Sequence, residues 1–145
     1  MSFTYQPDDE PRENETAQAP AVFSDPPVYT YVLVGAIAVV AITQFATGLE
    51  PSILSAGFVK PAFLQGHEYW RILTGAATHG SVPHVVMNCY AFYSFGKIFE
   101  ILANRAHLAI AFLLSAVGGG LLSLLFVPDG ISVGASGGIV GLIGY

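Results

Sequence analysis

Four stretches without charge decide what this chain can fold into. No Asp, Glu, Lys or Arg occurs from Pro26 to Leu49, from Ile72 to Gly96, from Ala106 to Pro128, or from Gly130 to Tyr145. A helix needs about 20 apolar residues to cross the hydrocarbon core of a bilayer. The first three stretches meet that length; the fourth stops short of it. The whole chain is 53% hydrophobic and 10% charged, whereas a soluble domain carries about a quarter charged residues. The sequence therefore predicts an all-α, polytopic transmembrane helical bundle, with three complete spans and the start of a fourth.

The spans are expected at about 28–47, 83–102 and 107–127, with an incomplete one at 136–145. Tyr29 and Tyr31 open the first span, where amphipathic rings favour the membrane interface. Pro83 suits a first helical turn, where its missing N–H is no loss. The connection at about 48–81 is not plainly hydrophilic. It contains Phe58, Phe63, Tyr69 and Trp70, so short helices lying in the interface are expected. The Gly118–Gly120 run in the third span would weaken a soluble helix, but among membrane helices small residues let backbones approach.

Residues 1–27 read differently. They hold Asp8, Asp9, Glu10, Glu13, Glu15 and Asp25 against Arg12 alone, and they account for most of the net charge of −5. Such an acidic, proline-rich segment cannot bury a core and is expected to be a disordered cytoplasmic tail. It has neither the basic start of a signal peptide nor the Arg-rich helix of a transit peptide. Lys and Arg number five in total, too few for a nucleic-acid-binding patch. With the N-terminus inside, Arg12, Lys97 and Arg105 lie on the cytoplasmic side against Lys60 and Arg71 outside, the sense of the positive-inside rule.

The second span carries the polar residues that matter. Polar groups inside a membrane are costly and usually face the bundle interior or a water-filled cavity. His84 and Asn88 are four apart and share a helix face. His79 precedes Pro83 and can fold back toward them. Ser136 begins the fourth span at the same outer depth, so Ser136, His84, Asn88 and His79 can form one polar site. Two histidines without a Cys or a nearby carboxylate make a poor zinc set, so neither a metal nor another cofactor is expected. Cys89 reads as a small packing residue. Gly-Ala-Ser-Gly-Gly also fits the G-x-S-x-G elbow of soluble hydrolases, but that motif needs an α/β surround which membrane spans exclude.

Taken together, Trp70-Arg71, then His79, His84 and Asn88, then Gly96 and Glu100, then Gly134-Ala135-Ser136-Gly137 form an ordered pattern. This pattern resembles the rhomboid family of intramembrane serine proteases, over about residues 28–145. The resemblance implies a rhomboid-type bundle of six or more spans and endopeptidase action on transmembrane-segment substrates. Ser136 would be the nucleophile of a Ser-His dyad. Asn88 and His84, with the Ser136 backbone N–H, would stabilise the oxyanion, and His79 and Gly134 would belong to the same pocket. Trp70, Arg71, Gly96, Glu100 and Gly137 would be structural, with Arg71 and Glu100 fixing the first connection against the bundle. The family's base is a histidine on the sixth span, and none of His67, His79, His84 or His107 matches it.

The chain is therefore expected to be an N-terminal fragment, inactive by itself, of a multi-pass protein in a bacterial cytoplasmic membrane. Val140 also stands where many members have an aromatic residue. The alternatives are a non-catalytic relative that binds membrane clients, or a transporter, which would show a repeated half.

Overall fold

The computed structural model describes residues 26–145. The acidic tail lies outside the described residues apart from Pro26 and Pro27. Among the described residues, seven helices and two short strands follow one another: α1 (Val28–Thr47), α2 (Leu49–Ala56), β1 (Phe58–Val59), α3 (Lys60–Leu64), α4 (Arg71–Ala77), α5 (Val82–Leu102), α6 (Arg105–Phe126), β2 (Ile131–Ser132) and α7 (Ser136–Ile143).

Local chemistry sets the ends of the long helices. Gly48 closes α1 at φ 106°, a conformation that costs glycine little. Ser81 caps α5, its Oγ accepting from His84 N–H at 3.3 Å, and Asn104 caps α6 through His107 N–H at 3.1 Å. Each side chain supplies an acceptor to a first-turn N–H that has none within the helix.

α1 and α6 are both long and apolar enough to cross a membrane. α5 matches them in length, 21 residues, but His84, Asn88, Lys97 and Glu100 lower its apolarity. The surface is that of a protein solvated by lipid. Phe126, Leu102 and Leu125 are 81%, 80% and 75% exposed, while Thr30, Gln44, Asn88, His79 and Arg71 are buried. Polar groups inside and apolar groups outside reverse the arrangement that water favours.

The apolar core runs along the facing sides of α1, α5, α6 and α7. It joins Ile37, Ala41, Val85, Phe92, Phe112 and Ile139 among others, with Phe92 and Phe112 edge to face at 4.9 Å. Helix α7 packs on α6 with almost no side-chain spacer. A Cβ on Gly119 would sit 3.3 Å from Gly137 Cα, and one on Gly138 would meet the Phe112 ring at 2.5 Å. The small residues of α7 thus serve backbone approach, the usual source of contact between helices in lipid.

One expected contact takes a different form. Glu100, expected to fix the first connection, instead caps α1. Its carboxylate accepts from Tyr29 N–H at 3.2 Å, Thr30 N–H at 2.8 Å and Thr30 Oγ1–H at 2.7 Å. The reason is position: the C-terminal end of α5 lies beside the N-terminus of α1, whose unpaired N–H groups and dipole attract a carboxylate. Gly96 makes the approach possible, since a Cβ there would lie 2.8 Å from Thr30 Oγ1. The connection is held by Arg71 instead. Its Nη1 donates to the carbonyls of Leu54 and Gly57, each at 3.0 Å, and its Nε pairs with Glu68. Trp70 adjoins it but is exposed, at 57%.

Candidate active site

Ser136 is the first residue of α7, and the segment before it is pinned from several sides. β1 and β2 pair antiparallel, Phe58 opposite Ser132 and Val59 opposite Ile131. Lys60 adds two bonds: its N–H donates to Gly130 O at 3.3 Å, and its Nζ to Val127 O, at the C-terminal end of α6, at 2.5 Å. Ser123 Oγ and Ser132 Oγ lie 2.8 Å apart. Gly134 N–H donates to Gly75 O at 2.9 Å. The connection at 48–81 is therefore the bed on which the serine segment rests.

Gly134 makes the turn into α7 at φ +113°, a backbone state that suits glycine. Its missing side chain is needed twice over. A Cβ there would lie 2.6 Å from His84 Cε1, 2.7 Å from His84 Nε2 and 3.4 Å from Asn88 Nδ2. The residue two before Ser136 thus leaves no room for a side chain beside the His84 and Asn88 side chains of α5. His84, Asn88 and Gly134 come together directly, with Ser136 one turn of chain away.

Two buried atoms in this cluster have no hydrogen-bond partner among the described residues: Asn88 Nδ2 and His79 Nε2. A buried donor or acceptor left unpaired costs about 1–3 kcal/mol, so each calls for a physical reason such as an ordered water or a catalytic role. His79 is completely buried. Its ring stands edge to face with His84 at 5.1 Å, and its Nδ1 lies 3.1 Å from Ala77 O. Burial holds the His79 imidazole below its ordinary range and His84 pushes the same way, while the Ala77 carbonyl opposes both.

Ser136 opens onto a cavity of about 410 Å³, bordered by Ile72, Gly75, Gly119, Gly120, Ser132 and Gly137 among others. Ser136 Oγ has no hydrogen bond to a histidine among the described residues. His67 and His107 stand apart, bonded locally to Tyr69 and Asn104. Val140 is exposed, at 63%, on the free side of α7. The arrangement offers a hydroxyl at a helix N-terminus, an adjoining cavity, and amide and imidazole groups beside the turn.

Gln44 and Lys60 were not singled out by sequence. Gln44 carried a signal, being an amide within an otherwise apolar span. Lys60 is almost fully buried, and nothing in its neighbours foretold that.

A helical bundle with lipid-facing apolar surfaces and a buried polar cluster defines an integral membrane protein. A family profile described as "Rhomboid domain" matches residues 66–145, which is more than half of the chain. The chain belongs to the rhomboid family. It is 40% identical over 81 residues to RHOMBOID-like protein 6, mitochondrial, of Arabidopsis thaliana, covering 56% of this chain and 26% of that one. It is 26% identical over 138 residues to Rhomboid protease GluP of Bacillus subtilis, covering 92% and 27%. Inactive RHOMBOID-like protein 8 of Arabidopsis thaliana is 31% identical over 88 residues, covering 61% and 25%. The chain thus spans about a quarter of the length of these relatives. They are mostly plant proteins, one named mitochondrial, and give no support to a bacterial cytoplasmic membrane.

Proposed function

We propose that this chain carries the nucleophile and oxyanion donors of an intramembrane serine endopeptidase that cleaves transmembrane-segment substrates. The carrying observation is the close approach of Gly134, in the turn before Ser136, to His84 and Asn88, the amide nitrogen of Asn88 being buried and unpaired among the described residues.

The chemistry follows from these positions. Ser136 Oγ attacks the scissile carbonyl carbon, and its proton passes to a base. A serine hydroxyl is a weak nucleophile without one. We assign the base to a histidine outside these 145 residues, as the family resemblance implies, because no described histidine pairs with Ser136. The oxygen of the tetrahedral intermediate takes the negative charge. Asn88, His84 and the Ser136 N–H supply donors, and the N-terminus of α7 adds its dipole. Loss of one such donor typically costs about 10²–10³ in rate. The orientation that goes with this reading has the N-terminus cytoplasmic, α1, α5 and α6 as complete spans, and residues 48–81 at the outer interface.

The test is cleavage of a model transmembrane substrate by the gene product reconstituted in liposomes, with a fluorophosphonate probe as a second readout. Ser136→Ala is expected to abolish both. Cleavage that survives the substitution would sink the nucleophile assignment. Residues 1–145 alone are expected to give no cleavage; robust activity there would mean that His79 or His84 acts as base. A second reading, a client-binding protein without catalysis, draws on the relative named inactive. It predicts substrate capture unaffected by Ser136→Ala and no probe labelling of the gene product.

A further inference from the structure

The orphan Nε2 of His79 leads back to a residue on another helix. Gln44 is one of the buried residues of α1, with Thr30, Ile37 and Ala41. Its carboxamide meets the His79 peptide at two points. Gln44 Oε1 accepts from His79 N–H at 2.9 Å, and Gln44 Nε2 donates to His79 O at 3.4 Å. Both groups are buried, and an amide paired at both ends holds a backbone in place as a neighbouring strand does. Loss of Gln44 would therefore leave a buried N–H and a buried carbonyl of the His79 peptide without these partners, which is costly.

Fixing that peptide fixes the imidazole. Nδ1 lies 3.1 Å from Ala77 O. A carbonyl can only accept, so Nδ1 carries the hydrogen, and in the neutral ring Nε2 keeps a lone pair. That acceptor is buried and unpartnered in a ring that stands edge to face with His84. The His84 ring, in turn, lies against Gly134.

We propose that Gln44 is a positioning residue, which holds the His79 imidazole in its Nδ1–H form so that it orients the His84 ring beside Gly134. The significance for catalysis rests on the proposed role of His84 as an oxyanion donor; the positioning itself does not. A line of contact then runs from α1 through the bend before α5 to the turn that carries Ser136.

The experiment uses the gene product in lipid nanodiscs, with histidine labelled by ¹⁵N and ring signals assigned through His79→Gln and His84→Gln. In the unsubstituted chain, His79 should show one protonated and one bare ring nitrogen, with Nδ1 the protonated one. Gln44→Met keeps the stem and removes both bonds. It is expected to lose that split, as the two forms interchange, and to shift the His84 signals. Gln44→Glu keeps an acceptor for the His79 N–H and is expected to restore both patterns. If Gln44→Met leaves both histidines as they were, or if Gln44→Glu behaves like Gln44→Met, the proposal is overturned. These spectra do not depend on turnover, so failure of the nucleophile reading in the Ser136→Ala test would leave them unchanged.

Discussion

Removing the carboxylate of Glu100 should loosen the bundle at the end farthest from the serine. Glu100 accepts three hydrogen bonds from Tyr29 and Thr30, and Thr30 is fully buried. Hydrogen bonds to charged groups contribute about 1.5–3 kcal/mol each. The Tyr29 bond is the longest and is exposed, and bonds sharing one carboxylate do not add fully, so Glu100→Ala should cost about 3–5 kcal/mol. Glu100→Gln keeps a neutral acceptor, and neutral bonds are roughly half as strong, so it should cost about 2 kcal/mol. The assay is SDS titration of the chain in mild detergent micelles, followed by helical circular dichroism. A double-mutant cycle with Thr30→Ala should give a coupling of about 1–2 kcal/mol. A loss below about 1 kcal/mol for Glu100→Ala, or no coupling to Thr30, would refute the capping account.

Gly134→Ala should disturb the site locally. Its φ of +113° and the 2.6 Å approach to His84 Cε1 both oppose a methyl group, and backbone strain of this kind costs about 1–3 kcal/mol. Fluorophosphonate labelling of the gene product should fall at least about tenfold, the loss that about 1.4 kcal/mol of misplacement produces; unchanged labelling would refute the need for glycine there. Acid should destabilise the fold through His79. Its folded pKa is lowered, so the unfolded chain binds the proton more readily, and stability rises with pH across that window. The contribution is complete above about 6.5, the unfolded value, and is lost as pH falls toward the folded pKa. SDS titrations at several pH values should show this slope in the unsubstituted chain and a flatter one in His79→Gln; equal slopes would count against it.

The long helices were legible because lipid imposes a simple rule. A span must be apolar and satisfy its own backbone, so gaps between charges trace α1 and α6 closely, whereas the gap at 72–96 begins within α4 and stops before the end of α5. The shared face of His84 and Asn88 followed from helical spacing alone. What was not legible depends on contacts distant in sequence. The strands Phe58–Val59 and Ile131–Ser132 are too short to show any alternation. Gln44 was visible as an amide in a span, but its partner, a backbone 35 residues on, left no mark. The family resemblance implies a place for Glu100 at the first connection, and motif order says nothing about which end of α1 lies beside α5.

The serine segment shows why a polar connection matters in a bundle otherwise held by small residues. Helix α7 has eight residues in the structure, too few to form a stable helix by itself, since isolated helices shorter than about 12–15 residues are marginal. Its small side chains bring it against α6, but glycine contacts alone do not fix rotation or depth. Direction comes from the other side. The β1–β2 pair, the Lys60 bonds and the Gly134–Gly75 bond attach residues 127–134 to the connection. The same connection is braced internally by Arg71 and joined to α1 by Gln44 at its far end. Ser136 is thus located by backbone pairing on one side and small-residue packing on the other. A site built this way keeps a hydroxyl and an unpaired amide in place among lipid-facing helices, with the buried Lys60 and Arg71 side chains hydrogen-bonded to the backbone of the segments that hold it.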